Sequence, residues 1–153
     1  MATDNPIKTL IDLTQTRVDD AARQLQAVTA SRDGAKQQLD MLHVYRQDYL
    51  ERFEKASAEG MSTVNYHNFR QFIATLDEAI SQQNNIVDQY DLKLKQTQEL
   101  WFDQKRQLNS YETLLSRQEQ ERQLLNNRKE QKLNDEMSMQ QFRRQQLLAK
   151  RSG

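Results

Sequence analysis

Residue types that often carry out chemistry occur in this chain, but their spacing assembles no catalytic or metal site. The two histidines, His43 and His67, have no metal-type partner three or four residues further along, as zinc motifs require. The carboxylates lie among basic residues, whereas general acid–base catalysis needs a dry cleft that shifts their pKa. No cysteine, nucleotide-binding P-loop or G-x-S-x-G motif is present. We therefore predict a protein that is not an enzyme and uses no metal or cofactor.

The sequence does favour contact with a partner, through one stripe of apolar residues. Phe72, Leu76, Ala79 and Gln83 follow the spacing i, i+4, i+7, i+11 of one helix face. Phe72, Ala79 and Ile86 also lie beside the main apolar seam, so the stripe is wider than one partner helix covers. Two interpretations stay open: a docking surface for another protein, or side chains that wrap around the seam and pack.

The elements that carry this stripe are two long helices with a seven-residue apolar rhythm. Apolar residues spaced on average every 3.5 positions are typical of helices that wind around a partner. The rhythm changes phase once, near Gly60, so the two runs predict an all-α, antiparallel two-helix coiled-coil hairpin. The first run contains Ile11, Val18, Leu25 and Leu39, interleaved with Ala21, Val28, Ala35 and Leu42; the second contains Ile73, Ile80, Val87, Leu94, Trp101, Leu108 and Leu115, interleaved with Phe69, Leu76 and Tyr90.

The composition supports a thin seam rather than a globular core. The 153 residues are 36% hydrophobic and 29% charged, with three glycines and one proline. Such a polar chain can still fill a two-helix seam, which needs only about two apolar residues in seven. No apolar run is long enough to span a membrane, and the N-terminus has no secretory signal pattern. We expect a soluble, cytoplasmic protein.

Residues that cap or end helices predict the boundaries of a single coiled-coil unit over residues 1–153. Asn5 suits an N-cap and Pro6 the first helical position, so helix 1 is expected over about 6–57. Gly60 can end that helix in the left-handed conformation, within a turn at about 58–62. Either Ser62 or Thr63 can cap the next helix. Helix 2 is expected over about 63–140.

The register of the hairpin predicts an overhang at the C-terminal end. If Phe53 faces Phe69 across the turn, the numbers of opposed residues add to about 122, which places Pro6 near Ser116. Residues 117–153 are then left without an internal partner and can fray in isolation. They carry eight basic and four acidic side chains from residue 121 onward, so this segment could seek an acidic partner.

Polar residues interrupt the seam at several core positions. Polar core residues fix register and partner choice at a cost in stability, although arginine can also extend out of a two-stranded seam at little cost. Both interpretations stay open. The residues concerned are Arg32, Arg46, Gln83, Thr97, Gln104 and Gln118.

Four segments in order resemble the FliJ family of bacterial flagellar export proteins, over almost the full length. The first is Val18-Asp19-Asp20-Ala21-Ala22-Arg23, and the second has Leu39, Leu42, Tyr45 and Tyr49 at fixed spacing. The third has Phe69, Phe72, Ile73, Leu76, Ala79 and Ile80, and the last has Asn127, Arg128, Gln131, Lys132, Asp135 and Glu136. A glycine-containing turn separates the second segment from the third.

The resemblance implies a stalk-like coiled coil in the flagellar type III export apparatus. It implies binding to the hexameric export ATPase, promotion of its ring assembly, contact with the membrane export gate protein, and handling of export chaperones. It also implies a position peripheral to the inner membrane at the flagellar base. The family's gate-binding patch maps onto Phe72, Leu76, Ala79 and Gln83, where the family often has histidine at the last position. The ring-binding residues are expected among Arg122, Arg128, Gln131, Lys132, Asp135 and Glu136.

Two other functions stay open from the residues alone. The hairpin could be a generic scaffold or spacer that pairs with copies of itself through Phe72, Ala79 and Ile86. The basic residues near the C-terminus could instead bind nucleic acid or a membrane surface. Nucleic acid usually demands a denser basic stripe, so we predict no nucleic-acid partner.

Overall fold

Two long α-helices make up the computed structural model, which describes residues 5–152. Helix α1 spans Pro6–Glu59 (54 residues) and helix α2 spans Thr63–Arg151 (89 residues). The two helices pack against each other, and the described residues contain no strand. The predicted all-α antiparallel hairpin is confirmed. Helix α2 remains helical beyond the expected boundary near residue 140.

Polar side chains cap the start of both helices. The Asn5 Oδ1 atom accepts a hydrogen bond from the Ile7 backbone N–H at 3.0 Å, which satisfies a donor that the first helical turn leaves open. Pro6 follows as the first residue of α1. At the second helix, the Ser62 Oγ atom accepts from the Asn65 backbone N–H at 3.2 Å. The caps predicted at Asn5 and Ser62 are therefore confirmed.

The turn between the helices consists of Gly60, Met61 and Ser62. Gly60 has a φ of 100° and is the one residue with positive φ within the described part of the chain. This backbone region is open to glycine because glycine has no Cβ atom to clash. The Gly60 N–H also donates to the Ser57 carbonyl oxygen at 3.3 Å. Glycine is thus what permits α1 to end so abruptly.

The chain divides into two compact units, of which the larger is Thr14–Arg106 and contains the turn. Its buried residues fall at the predicted heptad positions of both helices, which leaves a seam about one side chain thick. Small residues dominate the α1 side. The buried set is Thr14, Val18, Ala21, Val28 and Ala35 from α1, with Leu76, Ile80 and Val87 from α2.

Two ion pairs across the seam report the register in this unit. The Arg32 Nε–H donates to Asp91 Oδ1 at 2.7 Å, and the Arg46 Nε–H donates to Asp77 Oδ1 at 2.5 Å. The residue numbers of each pair add to 123, because each arginine reaches the residue that follows its directly opposed one in the register of Phe53 and Phe69, which adds to 122. Both arginines therefore reach from a core position to a carboxylate on the opposite helix, where they favour this register over others.

Aromatic rings close the unit beside the turn. The Phe53 ring centroid lies 5.3 Å from that of Tyr66 and 5.5 Å from that of Phe69. Tyr49 lies 5.1 Å from Phe69 and 4.3 Å from Phe72. Tilted ring pairs at these separations stabilise beyond their buried area. The five rings make one connected cluster that packs α1 against α2 next to the turn.

The smaller unit combines the residues before Thr14 with those after Arg106. Leu108 is buried in it, and Ile11, Tyr111 and Leu115 are partly buried. The Asn5 Nδ2–H donates to Gln118 Oε1 at 3.1 Å. Every described residue from Ser116 to Ser152 is exposed. The seam of this unit therefore stops near Leu115, and a long stretch of α2 follows with all its side chains in solvent.

No helix between residues 5 and 152 combines the length and apolar content that crossing a membrane requires.

Candidate partner-binding surfaces

One flank of the seam in the Thr14–Arg106 unit exposes apolar side chains, which we name the apolar flank: Phe72, Ala79 and Ile86 of α2. The three residues recur every seven positions, directly beside the core position of each heptad, so they line up along one side of the helix. Phe72 and Ile86 are each 40% exposed, and Ala79 is half-buried. The flank offers a partner a row of apolar contacts without unfolding the seam.

Leu76 and Gln83, also predicted as docking residues, lie deeper than the apolar flank. Leu76 is only 8% exposed, because it occupies a core position of the heptad. The Gln83 Nε2–H donates to the Ala35 backbone carbonyl at 2.9 Å and lies 3.3 Å from Gln38 Oε1. Both side chains are engaged with α1, so they support the flank from beneath rather than present their own surface.

The Phe72 side chain packs partly against α1 and is partly exposed to solvent. One part of its ring packs against Tyr49 of α1, and 40% of the side chain remains open to solvent. The contact with Tyr49 restricts the ring before any partner arrives, which lowers the entropy cost of binding. Phe72 is therefore a pre-ordered apolar contact.

Tyr45 of α1 belongs to the same flank by its heptad position, one residue before the core position of Arg46. Gln38, one heptad earlier on α1, contacts Gln83 and marks this side of α1 as adjacent to α2. Tyr45 is 62% exposed. In the sequence, Tyr45 was singled out only as part of the second segment that resembles the FliJ family. Its heptad position was the available signal for an exposed residue.

The opposite flank of this unit is polar and carries the two ion pairs. The hydrogen bond with Asp91 raises the pKa of the Arg32 guanidinium above its ordinary value, and Asp77 does the same for Arg46. Charged groups that are paired and partly hydrated are costly to strip of water. The polar flank is therefore costlier to strip of water than the apolar flank.

The residues predicted to bind a ring lie on the exposed stretch of α2, within the smaller unit. Arg122 donates to Glu119 Oε1 at 2.6 Å, one helical turn away. That hydrogen bond holds the pKa of the Glu119 carboxyl below its ordinary value. Surface pairs of this type add little stability, so Arg122 remains available to a partner.

The next turns of α2 bring further predicted residues together on one side. Leu125 and Lys129 join four of them to line a shallow, open depression along the helix: Arg128, Gln131, Lys132 and Asp135. Glu136 is exposed beside them. This arrangement mixes one apolar side chain with three cations and a carboxylate. It suits a polar protein surface better than a small-molecule ligand.

Neither histidine takes part in a catalytic arrangement among residues 5–152. His43 and His67 are both exposed, and this part of the chain has no group of three or more potential metal ligands.

Comparison with known proteins matches all of α1 and α2 as far as residue 147. The sequence profile of a family described as Flagellar FliJ protein matches residues 3–147. The Flagellar FliJ protein of Salmonella typhi is 33% identical over 138 residues, which cover 90% of this chain and 94% of the relative. The Flagellar FliJ protein of Escherichia coli (strain K12) shows the same identity over the same shares.

Proposed function

The chain belongs to the FliJ family of flagellar export proteins, and from this premise we propose that it acts as a stalk within the export apparatus. In this proposal the exposed stretch of α2 binds the hexameric export ATPase and promotes assembly of its ring. The apolar flank contacts the membrane export gate protein. The protein thereby couples the ring to the gate, without catalysing a reaction itself.

The observation that carries the ring contact is the exposed stretch of α2. From Ser116 to Ser152 every described side chain is exposed, although α2 remains helical as far as Arg151. Before residue 137 it includes the large apolar residues Leu124, Leu125 and Leu133, each more than half exposed. A helix within a protein gains most of its stability when its apolar residues pack against another surface. A binding partner that encloses this stretch would provide that packing.

The experiment that tests the ring contact compares three chains for stimulation of the purified export ATPase. Deletion of residues 118–153 should leave a helical hairpin by circular dichroism but abolish stimulation. The double variant Arg128→Ala/Lys132→Ala should weaken stimulation, because two cations of the depression are lost. Lys93→Ala/Lys95→Ala removes the same charge elsewhere on α2 and should stimulate normally. Full stimulation by the truncated chain would disprove the stalk role.

The gate contact is supported by the exposure and pre-ordering of Phe72. Its packing against Tyr49 leaves an apolar ring edge in solvent, beside Ala79 and Ile86. Apolar anchors of this kind supply most of the binding free energy in many interfaces. Leu76 and Gln83 then act by holding the flank in place.

Two further parts of the proposal rest on the family alone. They are the handling of export chaperones and a cytoplasmic position at the inner membrane of the flagellar base. Co-purification of the chaperones with the full chain, and its loss on competition with purified gate protein, would test whether the chaperones share the apolar flank.

A second candidate function is a self-associating spacer, which the same apolar flank favours. In that case two hairpins would pair through Phe72 and Ile86, and the mass measured by light scattering would rise with concentration. A stalk should remain monomeric over the same range without its ring. Phe72→Ser would abolish concentration dependence only if the spacer interpretation is correct.

A further inference from the structure

The last fifteen helical residues, Met137–Arg151, differ in charge from the rest of α2. This segment, which we name the terminal segment, has four cationic residues and no acidic one: Arg143, Arg144, Lys150 and Arg151. All of its side chains are exposed, and it is helical throughout. None of the ring-binding residues discussed above lies within it. Its contact has to be sought separately.

The helical geometry separates the cations from most of the apolar side chains. At roughly 100° per residue, the four cations fall within about 120° of the helix circumference. Arg143 and Lys150 are seven residues apart, as are Arg144 and Arg151, so they form two short rows. Gln140 and Leu147 lie between these rows.

The remaining circumference carries the apolar side chains. Met137, Met139, Phe142 and Leu148 lie there, each between 58% and 64% exposed. Ala149 and several glutamines complete this face. Glutamine carries no charge, so the face contains no group whose burial requires a counter-ion. The terminal segment therefore has a basic side and an uncharged side rich in apolar residues.

We propose that the terminal segment binds the surface of an anionic phospholipid bilayer. Helices that lie in a membrane interface combine lysine and arginine on one face with large apolar residues on the other. Lipid phosphates and anionic headgroups would contact the four cations, while Phe142, Met139 and Leu148 enter the upper acyl region. Duplex nucleic acid would use the basic rows but would leave the exposed apolar side chains in water, so the observations favour lipid.

This inference deepens the peripheral membrane position proposed above, since it names a direct lipid contact and the residues that make it. It depends on neither the ring contact nor the gate contact. Both of those are measured with purified proteins, whereas the lipid contact is measured with vesicles alone. Failure of one therefore does not imply failure of the other.

The experiment measures sedimentation of the full chain with vesicles at 150 mM salt, where weak surface attraction is largely screened. One set contains phosphatidylglycerol and phosphatidylcholine, and the other phosphatidylcholine alone. We expect binding to the anionic set only. Arg143→Gln/Arg144→Gln should weaken that binding about 10- to 30-fold, given the attraction of each cation to an anionic surface. Lys36→Gln/Lys55→Gln removes two exposed cations of α1 and should bind as the parent chain does.

A second measurement reports burial of the apolar side. The chain has no cysteine, so Met139→Cys introduces a single site for an environment-sensitive fluorophore. Its emission should shift to shorter wavelength with anionic vesicles and stay unchanged with neutral ones. The proposal is overturned if the chain does not bind anionic vesicles, if the arginine variant binds as tightly as its lysine control, or if the fluorophore stays in water. Tighter binding to a 20-base-pair DNA duplex than to anionic vesicles would also overturn it.

Discussion

Gln83 of α2 donates its side-chain amide to the backbone carbonyl oxygen of Ala35 in α1, with 2.9 Å between the nitrogen and the oxygen. Gln104 occupies the equivalent core position three heptads further along α2. Its Oε1 atom is buried and finds no hydrogen-bond partner within the described residues. The same residue type therefore fulfils two different roles: Gln83 joins the helices, whereas Gln104 places a polar atom in the seam without a bond.

Replacement of these glutamines should separate the two roles. Gln104→Leu removes the unpaired buried oxygen and adds an apolar core residue, so we expect the free energy of unfolding to rise by about 1–2 kcal/mol. Gln83→Leu loses a hydrogen bond worth about 1 kcal/mol while it gains apolar burial, and should stay close to neutral. Urea unfolding followed by circular dichroism measures both. Equal gains would contradict the difference in hydrogen bonding.

Replacement of Phe69 and of Phe72 should lower the free energy of unfolding by different amounts. Phe69 contacts both Tyr49 and Phe53, so Phe69→Ala should lower the free energy of unfolding by about 2–3 kcal/mol. Phe72 contacts Tyr49 but is 40% exposed, and Phe72→Ala should cost about 1 kcal/mol. Thermal unfolding monitored at 222 nm gives both values.

The same two variants test the gate contact. Binding of each folded variant to the purified gate protein is measured by calorimetry below its unfolding temperature. Phe72→Ala should weaken binding at least tenfold, as expected for an apolar anchor, and Phe69→Ala should retain it. A large loss of helicity in Phe72→Ala would instead identify Phe72 as a packing residue.

Two glycines should respond in opposite directions to alanine. Gly34 lies inside α1, and a Cβ atom built there meets no other atom within 4 Å. Gly34→Ala should therefore stabilise by about 0.5–1 kcal/mol through helix propensity. Gly60 has a φ of 100°, so Gly60→Ala should destabilise by about 1–2 kcal/mol despite the open space around it. Thermal unfolding measures both variants. A Gly60→Ala variant as stable as the parent chain would contradict this reasoning.

The pair of Glu119 and Arg122 predicts a local pH dependence. The hydrogen bond from Arg122 is the main cause of the lowered Glu119 pKa, and a small loss of hydration opposes it. A lowered folded pKa means that the stabilisation is complete above the unfolded value and is lost as the pH falls through the folded value. Carboxyl carbon NMR should give a Glu119 pKa below 4.5. Arg122→Gln should raise it, while Arg17→Gln on α1 should leave it unchanged.

Much of the fold followed from the sequence because its determinants are local. The heptads place Val18, Val28, Ile80 and Val87 in the seam, and those residues are buried. Gly60 ends α1 because other residues rarely adopt its φ. These features depend on helix period and backbone sterics, which a single sequence records directly.

The detailed use of the polar residues did not follow from the sequence. From its heptad position alone, Arg46 could either fix the register of the two helices or extend its side chain into solvent. Its pairing with Asp77 depends on the relative rise of the two helices, which the periodicity gives only within about one residue. In the register of Phe53 and Phe69 the residue opposite Arg46 is Leu76, and the arginine reaches the next residue along α2, Asp77. The heptad spacing does not show which neighbour an arginine side chain reaches.

The sequence predicted the positions along the stripe but not the exposure of its side chains. The heptads place Leu76 in the seam and Phe72 and Ala79 beside it, yet they do not show how much of each side chain α1 covers. Leu76 is buried because it lies at a core position, and Tyr45 is exposed because it lies next to one. Both outcomes depend on how α1 and α2 face each other in the folded protein.

The three-residue connection of Gly60, Met61 and Ser62 affects whether α1 and α2 stay associated when the protein is diluted. Two separate helices with such a polar seam would dissociate as their concentration fell, since each encounter would be bimolecular. Joined by so short a connection, α1 and α2 experience an effective concentration in about the millimolar range, whatever the copy number in the cell. A weak coiled coil can thus remain closed however dilute the protein becomes.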